Sequence, residues 1–127
     1  MITIKSSREI ELMRVSGKIT ARTLTMLMKT VKAGMTTAEV DRLAEESIRS
    51  MGGVPTFIGY HGYAHTICAS VNEEVVHGIP GSRVLKDGDL LSIDIGTTLN
   101  GYVSDSAVTI PIGNVSEAAE RLMRVTQ

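Results

Sequence analysis

Hydrophobic residues recur at helical spacing in two stretches near the start of the chain. The first stretch begins at Ser6 with Glu9 three positions later, the sequence of a capping box, and predicts a long amphipathic helix. The second begins at Thr36 with Glu39 three positions later and ends at a glycine pair. The apolar stripes of these two predicted helices are Ile10, Met13, Ile19, Leu24, Leu27 and Met28 in the first, and Val40, Leu43, Ala44, Ile48 and Met51 in the second.

The pattern changes after Pro55 from helical spacing to strands and turns. In "AHTICASVN" apolar residues alternate with small or polar ones, which predicts a strand. Two further apolar runs, "LLSIDIGTTL" and "YVSDSAVTI", are separated by Asn100 and Gly101. Because Asn-Gly is the strongest short signal for a two-residue hairpin turn, we predict that these runs pair as antiparallel strands.

A third helix is predicted in "NVSEAAERLMRVTQ", with Asn114 as its cap and Glu117 at the third position. Its apolar stripe, Ala118, Leu122 and Val125, continues up to the last residues, as in a fragment or designed half of a larger protein; a frayed natural terminus is the alternative. The predicted fold class is therefore α+β, with an antiparallel sheet packed against two N-terminal helices plus a C-terminal helix. We expect residues 1–127 to form one domain.

Composition narrows the range of partners. The chain has 127 residues, which fits one domain, and a net charge of −1 with neither sign in blocks, so we expect neither nucleic acid nor membrane as a partner. Its single cysteine, Cys68, has no internal disulfide partner, and the start of the chain lacks the pattern of a signal peptide. We therefore expect a cytoplasmic protein.

Two aspartates interrupt the apolar runs of the predicted hairpin. A two-residue turn at 100–101 places Asp94 opposite Ala107, and Asp105 then lies on the same face, diagonal to Asp94 at about 7–8 Å. Carboxylates at that spacing can share one metal ion, or two ions about 3.5–4 Å apart. The alternative is a pair of solvated aspartates on an exposed sheet face. A glycosidase carboxylate pair is disfavoured, since the chain contains no Trp for stacking on sugar rings.

Histidines and aromatic residues cluster upstream of the hairpin. His61 and His65 lie in "GYHGYAH" together with Tyr60 and Tyr63, which predicts either a pocket lining or a small satellite core, and His77 lies in "VVHGIPG". Oxygen ligands with an occasional imidazole suit Mn, Co, Fe or Zn at a dinuclear hydrolytic centre. Dinucleotide, nucleotide, serine-hydrolase and redox motifs are absent from the sequence.

The ordered series "GYHGYAHTICASVNEEVVHGIPG", "LKDGDLLSIDIG" and "GYVSDSAVTIPIG" resembles the N-terminal half of the type I methionine aminopeptidases. This resemblance implies one lobe of a pita-bread fold and a hydrolase that removes N-terminal methionine from nascent chains with two divalent metal ions. By the same resemblance, Asp94 and Asp105 are metal ligands, and His77 is catalytic and contacts the substrate near the scissile bond. The resemblance places four residues at the pocket for the methionine side chain: Tyr60, His61, Tyr63 and Cys68.

The resemblance also implies what this chain does not carry. The remaining metal ligands of the family, one histidine and two glutamates, belong to a second lobe related to the first by pseudo-symmetry. A complementary C-terminal half, or a second copy of the chain in a homodimer, would have to complete the site. The alternative is a non-catalytic half-domain that acts as a dimerising structural or binding module. Ala64 replaces a proline common in the family, which is expected to loosen the pocket loop.

Overall fold

A computed structural model describes residues 1–127 as an α+β fold, as predicted. The three helices are α1 (Ser7–Thr30), α2 (Thr37–Ser50) and α3 (Glu117–Thr126). Both predicted capping boxes are present, because the side chains of Ser6 and Thr36 accept the expected backbone N–H groups and each N3 glutamate bonds back to its cap. None of the helices combines the length and apolarity needed to cross a membrane.

All strand pairs in the single sheet are antiparallel. The strands are β1 (Val54–Pro55), β2 (Ile67–Val71), β3 (Leu90–Leu99) and β4 (Tyr102–Pro111). β3 is central: β4 pairs along one of its edges, while β2 and the short β1 share the other. β4 is therefore an edge strand along its whole length.

Helices α1 and α2 cover one face of this sheet. α1 packs on β3 and β4, and α2 packs on α1, β1 and β2. The shared core consists of aliphatic residues from both helices and from the inward positions of the strands, including Leu27, Val40, Ile48, Ile67, Leu91, Ile93 and Ile95, all fully buried. Three residues of the predicted α1 stripe lie outside this core, since Ile10 and Met28 are exposed and Met13 is only half-buried.

Buried hydroxyl groups tie α1 to the hairpin. Ser16 donates to the carbonyl oxygen of Thr97 at 2.7 Å, and Thr20 bonds the hydroxyls of Thr97 and Ser104 at 2.9 and 2.7 Å. Because side chains alternate along a strand, this contact turns Ser104 toward α1 and its neighbour Asp105 toward the opposite face. The helix thereby sets which face of β4 presents the carboxylate.

Helix α3 departs from the sequence prediction in its cap. Ser116 rather than Asn114 caps the helix, by accepting the N–H of Ala119, while the N–H of Asn114 donates to Asp87, in the turn before β3. The predicted stripe faces solvent, with Leu122 and Val125 exposed by 59% and 72%.

Candidate functional site

The β3–β4 hairpin brings the two aspartates together in the predicted register. Leu99 pairs with Tyr102 and Asp94 pairs with Ala107, and the turn residues Asn100 and Gly101 both have positive φ, as a two-residue turn of this type requires. Asp105 pairs with Gly96 and lies on the same face as Asp94. The two carboxylates line one cavity on the sheet face opposite α1 and α2.

Asp94 is the less solvated of the two carboxylates. Its Oδ1 is buried and has no hydrogen-bond partner, whereas Asp105 is exposed. Burial raises the pKa of Asp94, and the nearby Asp105 carboxylate raises this pKa further by repulsion, partly offset by His77. A pair of simply solvated aspartates is therefore not what the structure contains, because one acceptor oxygen is turned inward and unpaired.

The cavity around the aspartates has a volume of about 570 Å³, in the range of small-molecule sites. It brings together every residue that the family resemblance placed at the site. Its lining consists of Phe57, Tyr60, His61, Gly62, Tyr63, Cys68, His77, Ile79, Asp94 and Asp105. His65, from the same sequence cluster, is not among the lining residues.

Tyr63 and Cys68 form the inner wall of this cavity. The Tyr63 hydroxyl donates to the carbonyl oxygen of Ile67 at 2.8 Å, and Cys68 in β2 is only 8% exposed. Burial raises the pKa of both groups, and the negative charge of Asp94 adds to the rise in each. Both residues therefore remain protonated at neutral pH and present a sulfur atom and an aromatic ring rather than charges.

His77 is held at the cavity mouth by a strained backbone. Its φ is 59°, a left-handed value that is uncommon for a residue with a side chain. The next residue, Gly78, lies against β2: its carbonyl accepts the N–H of Ala69 at 2.8 Å, and its N–H donates to Ser70 Oγ at 3.0 Å. A Cβ at position 78 would collide with the backbone of Ala69 and Ser70, so only glycine fits this approach.

A second strained histidine lies across the cavity. His61 has a φ of 47° within the short 3₁₀ turn Tyr60–Gly62, which is flanked by positive-φ glycines at 59 and 62. Its ring packs edge-on against Tyr60, with the centroids 4.3 Å apart. Tyr60 is 67% exposed, so this part of the lining forms the rim rather than the interior.

Three lining residues were not among the site residues predicted from the sequence: Phe57, Gly62 and Ile79. Phe57 packs over Gly96 of β3, where a Cβ would come within 2.9 Å of the ring, and Ile79 lies two residues beyond His77. Phe57 had a usable signal, because it belongs to the cluster that holds three of the chain's four aromatic residues. Its contact with Gly96 is long-range and has no local signature.

The ligand chemistry of the cavity fits part of a metal centre. Carboxylate oxygens suit hard divalent cations, and the unpartnered Asp94 Oδ1 is the kind of buried acceptor that a cation would satisfy. No third His, Cys, Asp or Glu side chain joins the two aspartates in a cluster able to hold a metal. This chain thus offers two carboxylates, and further ligands would have to come from elsewhere.

Known proteins that are similar in sequence to this chain are metallopeptidases. Residues 11–127 match the model of metallopeptidase family M24. The whole chain is 54% identical to methionine aminopeptidase 1 of Bacillus subtilis and covers 51% of that protein; for methionine aminopeptidase of Clostridium perfringens the values are 51% and 51%. The chain spans about half the length of the curated relatives it matches.

Solved structures give the same result for the fold. The methionine aminopeptidase of Rickettsia prowazekii superposes with a TM-score of 0.96 at 35% identity, covering 99% of this chain and 51% of that one. The enzyme of Thermotoga maritima superposes with a TM-score of 0.95 at 42% identity, again covering 99% and 51%. The chain has about half of the pita-bread fold of these enzymes and belongs to metallopeptidase family M24.

Proposed function

We propose that residues 1–127 form the N-terminal lobe of a cytoplasmic methionine aminopeptidase, in which Asp94 and Asp105 are two of the ligands of a dinuclear metal site. The observation that carries the proposal is the pair of carboxylates on one sheet face, with the buried Asp94 Oδ1 left unpartnered. The family match supports a metallopeptidase, and the names of the relatives support methionine as the residue removed. The remaining ligands would come from a complementary C-terminal half.

The residues of the cavity suit an N-terminal methionine as substrate. Tyr63, Cys68 and Phe57 offer an aromatic and sulfur-containing wall to an unbranched thioether side chain, a favourable contact for methionine sulfur. Tyr60 and His61 on the rim would flank the substrate at the entrance. His77 at the mouth would donate a hydrogen bond to the oxygen of the scissile carbonyl as negative charge develops on it.

Two divalent ions held by the completed ligand set, Mn, Co, Fe or Zn, would supply a hydroxide nucleophile and polarise the scissile carbonyl. Within this chain, Asp94 and Asp105 would hold such ions and fix their position on the sheet face. The strained backbone at His77 would keep its imidazole aimed at the carbonyl without further reorganisation.

Calorimetric titration tests the metal assignment directly. Mn²⁺ or Co²⁺ added to the 127-residue chain should release or absorb heat that is largely lost in Asp94→Ala. The matched control is Glu117→Gln, which removes an exposed carboxylate in the first turn of α3 that does not line the cavity. Equal heats for the wild type and Asp94→Ala would refute metal binding at this cavity.

Methionine release tests the activity. A Met-Ala-Ser peptide is incubated with metal and the chain, alone and together with a separately expressed C-terminal half of a related enzyme. We expect turnover in the mixture and loss of at least about a hundredfold in Asp105→Asn, since an amide is a poorer ligand for a divalent cation than a carboxylate. Turnover that survives in Asp105→Asn would contradict the assigned role.

A second candidate function is a non-catalytic module that dimerises. Specific observations favour it: Leu122 and Val125 are exposed on α3, and β4 is an edge strand whose outward backbone groups have no partner. Exposed apolar surface and an open sheet edge both promote association with another chain. An inactive dimer in the presence of metal and peptide would support the module over the enzyme.

A further inference from the structure

Asp41, on the inner side of α2, contacts three consecutive residues at the start of β2. Its Oδ1 accepts the backbone N–H groups of Thr66 and Ile67 at 2.8 and 2.9 Å. Its Oδ2 lies 3.4 Å from Nδ1 of His65. The Asp41 side chain is only 14% exposed, so these contacts are largely shielded from water. One carboxylate thus joins helix α2 to the segment that enters the sheet.

The joined segment lies between the two residues of the inner cavity wall. Tyr63 precedes it and touches His65 ring edge to ring face, with centroids 5.6 Å apart. Cys68 follows it directly in β2, and the Tyr63 hydroxyl bonds back to the carbonyl oxygen of Ile67. Asp41 itself does not line the cavity. Any effect it has on the cavity must therefore act through Tyr63 and Cys68.

We propose that Asp41 and His65 are positioning residues that hold the Tyr63–Cys68 wall of the cavity in place. The two N–H bonds fix the first residues of β2, and the His65 contact carries the restraint backward to Tyr63, whose ring it supports. That contact adds to the hydrogen bond from the Tyr63 hydroxyl to the carbonyl oxygen of Ile67, which also ties the loop between Gly59 and Thr66 to β2. The inference rests on the proposed function only where a methionine side chain is taken as the occupant of the cavity. The restraint on the Tyr63–Cys68 wall does not depend on that function.

The backbone beside His65 offers an independent way to apply the same restraint. Tyr63 has φ −65° and ψ 133°, the conformation that a residue preceding proline prefers. The N–H of Ala64 makes no hydrogen bond that a proline would remove. Ala64→Pro should therefore stiffen the loop without breaking any contact. Ala64→Pro should therefore also restore the position of the Tyr63–Cys68 wall in a protein in which His65→Ala has loosened it.

The reactivity of Cys68 reports on the wall, since this is the only thiol of the chain and it is buried. The 127-residue protein is labelled with an aromatic disulfide reagent in 0–2 M urea, and each rate is divided by the rate for the fully unfolded variant. We expect His65→Ala to accelerate labelling about fivefold, the value of a partly exposed polar contact plus an aromatic edge contact. The double variant Ala64→Pro/His65→Ala should return to within about twofold of the wild type.

Controls separate a positioning role from general stability. Glu46→Gln breaks the exposed Arg42–Glu46 pair on the same helix and should leave labelling unchanged. Asp41→Asn should accelerate labelling as well, but the Asp41 charge also raises the pKa of the Cys68 thiol, so His65→Ala is the decisive variant. If His65→Ala loosens the wall only locally, the acceleration of Cys68 labelling should not change with urea concentration in the low-urea range.

The inference is overturned by unchanged labelling in His65→Ala, by failure of Ala64→Pro to restore the rate, or by an acceleration that rises with urea in parallel with global unfolding.

Binding of L-methionine amide, followed by NMR, tests the proposed function separately. Weaker binding in His65→Ala and recovery in the double variant would support both the positioning role of His65 and methionine as the occupant of the cavity. Absence of binding to the wild type, with the labelling results as expected, would refute the assigned substrate and leave the positioning pair supported.

Discussion

At the scale of single residues, Asp94 shows how a site residue can oppose stability. A carboxylate facing another carboxylate, with one oxygen buried and unpaired, is a poor choice for a fold that needs only to be stable. The same arrangement is favourable for holding a cation. The strained backbones of His61 and His77 follow the same logic, since left-handed conformations persist only where the surroundings enforce them.

Replacing Asp94 with asparagine should stabilise the metal-free chain. Because the folded-state pKa of Asp94 is raised above its ordinary value of 3.8, the wild type gains stability from this group at low pH and loses it as the pH rises through the raised pKa. The difference in unfolding free energy between Asp94→Asn and the wild type should therefore be near zero at pH 3 and grow toward pH 7. Urea denaturation across this range measures it; a variant less stable than the wild type at pH 7 would contradict the explanation.

Two glycines of the chain should respond to alanine in opposite directions. Gly78→Ala places a Cβ against the backbone of Ala69 and Ser70 and should cost about 1–3 kcal/mol, as expected for overpacking that no side chain can relieve. Gly17→Ala, inside α1 with open space around the new Cβ, should stabilise by about 0.5–1 kcal/mol. Thermal unfolding followed by circular dichroism compares the pair, and equal signs would be evidence against the close approach at Gly78.

At the scale of elements, local sequence signals predicted α1, α2 and the β3–β4 hairpin correctly, whereas they predicted the wrong cap for α3. The capping boxes at Ser6 and Thr36 and the Asn100-Gly101 turn were confirmed because each satisfies its own backbone groups within a few residues. In α3, two plausible caps stand two residues apart, and the choice between them depends on a hydrogen bond to Asp87 that is distant in sequence. Local pattern alone could not decide between them.

Substitutions at Ser116 and Asn114 test which of the two residues caps α3. Ser116→Ala removes the side-chain acceptor for the N–H of Ala119 and should destabilise α3 by about 1 kcal/mol. Asn114→Ala should have little effect on α3, because the bond from Asn114 to Asp87 uses a backbone N–H that alanine retains. Amide hydrogen exchange in residues 117–126 distinguishes the variants. Faster exchange in Asn114→Ala than in Ser116→Ala would reverse the assignment.

At the scale of the whole molecule, the fold leaves one side open. α3 has no buried residue, Leu122 and Val125 face solvent, and the outward backbone groups of β4 are unpaired. The chain also spans about half of its relatives. An open sheet edge together with exposed apolar side chains predicts association with another polypeptide, either a complementary half or a second copy.

Self-association should depend on this open side. We expect the 127-residue chain to show a concentration-dependent rise in molar mass by light scattering. Leu122→Lys combined with Val125→Glu should reduce it, because the exposed apolar surface of α3 is replaced by charge. A matched control is Val75→Lys, which charges an equally exposed apolar residue in the loop before His77. A monomer at all concentrations would exclude the dimerising module.

Sequence alone determined α1 and α2 with their capping boxes, and the hairpin register that brings Asp94 and Asp105 to one face. These features follow from periodicity, capping and turn chemistry, which act over a few residues, whereas the other candidate residues of the cavity came from the resemblance to a known family. The tertiary structure decided the rest: the cap of α3, the approach of Gly78 to β2, the contact of Phe57 with Gly96 and the joining of Asp41 to residues 65–67. Each of these depends on where distant segments meet, and that is set by the packing of the whole sheet against its helices.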